Sequence, residues 1–238
     1  MKILYATDLH GNAARYEKLL KEAERSDIDA VVIGGDITPQ GGFDIISVQR
    51  QFLEDYFLPR LDKFRSRFGK PVFTMMGNDD FSINMDVLER AEAAGTLKIV
   101  HNKVFPIGKF NIAGYSFISM TPFLIKDWER GEDEIADDMT QLSSMSDPSK
   151  TLFVFHVPPA ETKLDVLYNG MHAGSSAVLG FIRQKQPLMT LHGHIHESPD
   201  MSGSWKEKIG RTVSINPGNN AFVLIDMDDV ENSSLKKY

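Results

Sequence analysis

The chain has 238 residues, which at roughly 150 residues per domain is between one and two domains. Its 42% hydrophobic and 25% charged residues suit a globular chain with a sizeable core and exclude disorder or a small stapled fold. The net charge of −7 is opposite to the basic footprint of a nucleic-acid binder, so long nucleic acid is disfavoured as a partner. With no cysteine, disulfides and thiolate metal sites are excluded, and a reducing compartment, the cytoplasm, is expected. No apolar run approaches the ~20 residues of a membrane span, and the apolar stretch before Asp8 is too short for a secretory leader, so a soluble protein is expected.

Short apolar runs at Ile3 to Ala6, Ala30 to Ile33, Val72 to Met76, Leu152 to Phe155 and Leu188 to Leu191 read as strands separated by helical stretches, an α/β class. After the first, Ala13, Tyr16, Leu19, Leu20 and Ala23 share one helical face, and Asn12 is placed to cap it. A second helix starts near Asp44 and carries Ile45, Val48, Phe52, Leu53 and Tyr56 until Pro59, which should kink or end it. A third spans about Ser82 to Ala94. From Phe105 to Met120 no helix intervenes between short strands, which predicts antiparallel pairing, and Val213, Ile215 and Ala221 to Ile225 resemble closing strands of the same kind. Two sheets covered by helices follow. Residues 121–150 carry three basic and eight acidic side chains, with Ile135, Met139 and Leu142 on one helical face, and read as an acidic flap-like insertion within a single domain 1–238. The last six residues read as a solvated tail.

Each of the five strands is followed at once by residues that bind metals: Asp8 and His10, Asp36, Asn78, His156, then His194 and His196. In layered α/β folds the functional crevice lies beyond the carboxyl ends of strands, so these loops should converge. If one carboxylate bridges, the seven side chains can give two cations four protein ligands each. Taken singly, Asp36, Asn78 and His156 read as turn or core residues. His192, His194 and His196 at alternate positions are harder to explain structurally.

The whole set resembles the calcineurin-like metallophosphoesterases of the smaller single-domain prokaryotic type, through Asp8-Leu9-His10, Gly35-Asp36, Gly77-Asn78, His156 and Gly193-His194-Ile195-His196 in order. The resemblance implies a four-layer α-β-β-α sandwich with two mixed sheets flanked by helices. It also implies that Asp8, His10 and His196 hold one metal, that Asn78, His156 and His194 hold the other, and that Asp36 bridges them. Two such cations would bind phosphate oxygens and acidify a bridging water, and hydroxide would then attack phosphorus in line. The oxygen and imidazole donors suit Mn, Fe, Zn or Co rather than Mg or Ca. The activity expected is hydrolysis of a small phosphodiester or phosphomonoester, by a monomer or a homo-oligomer.

One position departs from the family pattern: Asp79 stands where many members have a histidine that assists the leaving group. An anionic Asp79 would repel phosphate unless it points away, is protonated or orients another group. A substitute is sought in the glycine-rich Asn169 to Ser176, where His172 is a candidate for contact with the phosphate or leaving group. Asn12 is a weaker substrate-binding candidate, with helix capping its better reading. Phe123 and Trp128 read as core, with stacking on an aromatic leaving group the other option. His192 reads as supporting its neighbours, and His101 as a surface or turn residue. The alternative to a hydrolase is a catalytically weak scaffold of this fold that binds partner proteins, for which Asp79 is the one supporting feature.

Overall fold

In the computed structural model, residues 1–123 and 126–238 are described. The first half runs β1 (Lys2–Ala6), α1 (Ala13–Ala23), β2 (Ala30–Ile33), α2 (Ile45–Gln51), a π-helical stretch (Phe52–Phe57), α3 (Leu58–Phe68), β3 (Val72–Thr74), α4 (Met85–Ala93) and β4 (Lys98–Ile99). There follow β5 (Val104–Ile107), β6 (Phe110–Tyr115), β7 (Ile118–Ser119), β8 (Glu129–Arg130), α5 (Glu132–Ser144), β9 (Thr151–Phe155), α6 (Ser176–Lys185) and β10 (Met189–Leu191). The chain closes with α7 (Ser198–Ser202), β11 (Lys206–Ile209), β12 (Thr212–Ile215), β13 (Ala221–Asp226) and β14 (Ser234–Lys237). One sheet has the order β14-β13-β1-β2-β3-β4 and the other β11-β12-β10-β9-β6-β5. In the first, β1 to β4 are parallel and β13 is antiparallel to β1, with Ile3 opposite Ala30 and Ile225. In the second, β12, β10, β9 and β6 are parallel, and β5 and β11 are antiparallel edges.

Strand residues alternate between two faces, and this sorts the core into layers. Ile3, Tyr5, Val32, Leu152, Val154 and Leu191 meet between the sheets. Leu4, Val31 and Ile33 face outward onto α1, α3 and α4, through residues such as Leu19, Leu61 and Leu88. Phe153 and Phe155 face the other way onto α5 and α6. Helix, sheet, sheet, helix is therefore the layer order, as the resemblance implied.

Four expectations are corrected. The centre of residues 121–150 is not a flap: α5 puts Ile135, Met139 and Leu142 against Phe153 and Phe181, and forms the outer layer of the second sheet with α6. Residues 124 and 125 of that segment lie outside the described residues. Pro59 does not end its helix, because Leu58 N–H bonds the Leu53 carbonyl in the wider π register and the chain stays helical to Phe68. The closing strands belong to different sheets, β12 lying parallel to β10 and β13 antiparallel to β1. The tail is not solvated either, since it adds β14 to β13 and sets the Tyr238 ring against Phe222.

Candidate metal centre

Parallel pairing brings the carboxyl ends of β1, β2 and β3 in one sheet and of β9 and β10 in the other to a common edge, and the seven candidate ligands lie in the turns just beyond. Those turns are sharp. Asp8, His10, Asp36 and His194 all have positive φ, between 45° and 64°, in the left-handed region that side chains with a Cβ avoid. The turns hold one another in that conformation. Asp8 N–H donates to Gly35 carbonyl at 3.1 Å, His10 N–H to Asp36 carbonyl at 2.9 Å and Gly193 N–H to His156 carbonyl at 2.9 Å. Glycine at two positions makes room for the donors themselves: a Cβ on Gly77 would overlap Asp36 Oδ1 and His156 Nε2, and one on Gly193 would overlap Asp8 Oδ2.

Within this frame the ligating atoms of Asp8, Asp36 and His156 all lie within 4.8 Å of one another, as do those of His10, Asp36 and Asp79. Asp36 is common to both groups. Asn78 Oδ1 lies 3.1 Å from His156 Nε2 and 2.8 Å from His194 Nδ1, and the rings of His10 and His196 are 5.9 Å apart. His156 Nδ1 meets the Gly34 carbonyl at 2.9 Å, which turns Nε2 toward Asp36 Oδ2, 3.3 Å away. Two polar atoms of the cluster, Asp8 Oδ2 and His10 Nδ1, are buried and have no hydrogen-bond partner among the described residues.

The electrostatics call for positive charge. Burial would raise the Asp36 carboxyl, but His156 beside it outweighs burial and holds it down at about 2. Conversely, the Asp36 and Asp8 carboxylates pull His156 up to about 9 against the effect of its burial. Burial and the neighbouring His156 drive His194 down to about 3. A bound cation can take the place of the proton that the carboxylates draw in, and it would use the buried Asp8 oxygen that otherwise loses its solvation unrewarded. The donor set therefore fits divalent metal ions.

Asp79 neither points away nor stands alone. Lys126 pairs with its carboxylate and Gln40 donates to it. All three residues line one pocket, and Asp79 and Lys126 also line a cavity of about 620 Å³ together with Asp36, Asn78, His194 and His196. His172 does not line that cavity. Its Nδ1 is 2.7 Å from Oδ1 of the buried Asp165, while the neighbouring Ala173 and Gly174 reach the wall. Asn12 does what capping requires, its side chain accepting from Arg15 N–H at 3.2 Å, and it too lies outside the cavity lining. Trp128 packs against His101 and Phe117, whereas Phe123 is on the cavity wall rather than in the core. His192 is buried, with Nδ1 2.9 Å from the Val157 carbonyl, and so braces the residue after His156. Not foreseen were Asp80, which ties two of the turns together, and Asn216, whose buried amide donates to the carbonyls of Leu164, Gly193 and Ile195. Both look like ordinary turn residues in sequence.

A family model described as calcineurin-like phosphoesterase matches residues 1–198. No curated protein matches the chain. Among solved structures, TT1561 of Thermus thermophilus is 19% identical, covers 99% of this chain and 98% of its own, and has a TM-score of 0.74. Another is 18% identical, covers 100% and 98%, and has a TM-score of 0.75. Likeness at that identity concerns the fold, which both share with this chain along nearly its whole length. The family match spans every turn that supplies a candidate ligand, and on that ground the chain belongs to the calcineurin-like phosphoesterases, a family of metal-dependent phosphoester hydrolases.

Proposed function

We propose that this protein hydrolyses a small phosphodiester or phosphomonoester with two divalent cations, drawn from Mn, Fe, Zn or Co. The observation that carries the reading is that Asp36 belongs at once to two groups of mutually close donors. Asp8, His10 and His196 would serve one ion, Asn78, His156 and His194 the other, and Asp36 both. When bound, the ions would supply Lewis acidity to the phosphoryl oxygens and to the attacking water. The protein's own groups do the placing. The Gly34 carbonyl fixes the ring of His156, and Asp8 Oδ1 accepts the His194 N–H at 3.0 Å, which holds the last turn against the first. Lys126 presents a cation beside the cluster and neutralises Asp79, so a phosphate entering the cavity does not meet an unpaired carboxylate. That pairing relieves the repulsion expected of an anionic Asp79.

The test is to strip the protein with chelator, reload it with Mn, Zn, Fe or Co, and follow chromogenic mono- and diesters. Turnover is expected with at least one metal, and Asp36→Asn should lower both metal content and hydrolysis, the latter by about 100-fold or more. No turnover with any of the four, or a folded Asp36→Asn of normal activity, would overturn the reading.

A further inference from the structure

The cavity over the donor cluster has an unlike lining: Asp36, Asn78, His194 and His196 share it with Met120, Phe123 and Tyr168. These three large side chains are 68%, 64% and 72% exposed, although an apolar residue left in water forgoes the gain of burial. A group of them rimming a polar pocket is the pattern of a ligand site rather than of scattered surface residues. The two rings come from separate segments. Phe123 follows the strand pairing of β7, and Tyr168 sits in a tight turn closed by Leu167 N–H donating to Met171 carbonyl at 2.8 Å. Phe123 is also tied to the polar end, because the Lys126 ammonium that pairs with Asp79 lies 5.7 Å from the centre of its ring. One lysine head therefore lies close to both the Phe123 ring and the Asp79 carboxylate.

The geometry points to a substrate whose phosphoester carries a flat aromatic ring system, with Phe123 and Tyr168 receiving the ring while the phosphate lies against the cluster and Lys126. The inference rests on the hydrolase reading and adds the class of organic group. Flat rings gain from stacking on aromatic side chains beyond the area they bury, and the Met120 thioether is a favourable neighbour for a ring edge. A cavity of about 620 Å³ admits a phosphate with one nucleoside-sized group. A long acyl chain would be left against side chains that are themselves mostly in water. The chain's net charge of −7 repels a polyanion more than a single phosphoester.

Phosphonates, whose P–C bond resists hydrolysis, separate binding from turnover. Titration calorimetry on the Mn-loaded protein would compare methyl-, phenyl-, cyclohexyl- and octylphosphonate and the phosphonate analogue of adenosine monophosphate. At least one of the phenyl and adenosine compounds should bind roughly tenfold tighter than the methyl compound, and the stronger of the two tells an aryl from a nucleoside ester. Phe123→Leu and Tyr168→Leu keep apolar bulk on exposed positions. Each should bring the tighter-binding ring compound down toward the cyclohexyl level, with a smaller change for methylphosphonate. Binding of both the phenyl and the adenosine compound no tighter than the cyclohexyl compound, tightest binding of octyl, or variants without effect would overturn the inference while esters were still hydrolysed. Failure of every phosphonate to bind together with failure of every ester to turn over would instead sink the hydrolase reading.

Discussion

Asp80 carries its carboxylate, fully buried, into the gap between two of the metal-site turns. Oδ2 accepts the N–H groups of Gly77 at 2.9 Å and Ile37 at 3.0 Å, and Oδ1 accepts the Thr38 N–H at 2.8 Å and its hydroxyl. One side chain thus fixes the turn that presents Asp36 and the turn that presents Asn78. Burial and the charge of Asp36 push its pKa up to about 6, while these same donors pull it down. Asp80→Asn replaces one acceptor oxygen by a donor amide, which strands buried N–H groups at about 1–3 kcal/mol each. The variant should unfold at lower urea and retain less metal through gel filtration than wild type. Wild-type values of both would remove the clamp. Nothing in Gly77-Asn78-Asp79-Asp80 distinguishes the two aspartates, although one lines the pocket and its neighbour holds the backbone. The difference lies in the path of the turn, to which a residue type is blind.

At the scale of elements, the strands that lead to the candidate ligands were legible because each is a short apolar run that stops at a residue of a type that can bind metals, as Ile3 to Ala6 stops before Asp8. Elements whose partners are distant were not. The apolar face of α5 was plain in Ile135, Met139 and Leu142, but which surface it covers depends on Phe153 and Phe181, remote in sequence. Residues 52–57 gave no sign of the π register that admits Pro59, because both registers bury Leu53 and Phe57. Likewise the polar Ser-Lys composition of β14 hid a strand whose apolar contacts come from Leu235 and the following Tyr238. If α5 is a structural layer, emptying its buried face is costly. Met139→Ala removes a side chain that is buried on α5, and should destabilise the protein by about 2–5 kcal/mol. Urea unfolding checks this. A loss below about 0.5 kcal/mol, the size of a surface substitution, would return α5 to the status of a loosely attached cover.

Across the whole molecule the two sheets are joined beyond β4, where Val100 N–H donates to the Thr74 carbonyl of the first sheet and the Gly114 N–H of the second donates to the Val100 carbonyl. His101 stands in that junction. Its ring lies among Tyr115, Phe117 and Trp128, and its Nδ1 accepts the Ser116 N–H at 3.0 Å, a bond that needs the nitrogen unprotonated. It is a half-buried histidine packed among aromatic rings, not a free surface or turn residue. Burial first, then the nearby Arg130, depress its pKa to about 4. Because the folded value lies below the ordinary 6.5, the neutral ring contributes its full stability above pH 6.5 and loses it as pH falls toward 4. At about 1.4 kcal/mol per pH unit that amounts to at most roughly 3 kcal/mol in the linkage between the sheets. Metal-free protein isolates this from the release of ligands. Its unfolding free energy should drop between pH 7 and pH 4.5, and His101→Gln, which offers Ser116 an acceptor that cannot ionise, should drop less by about 2–3 kcal/mol. Parallel pH profiles for the two proteins would mean that acid enters the structure elsewhere, and that the junction between the sheets is indifferent to the charge on this ring.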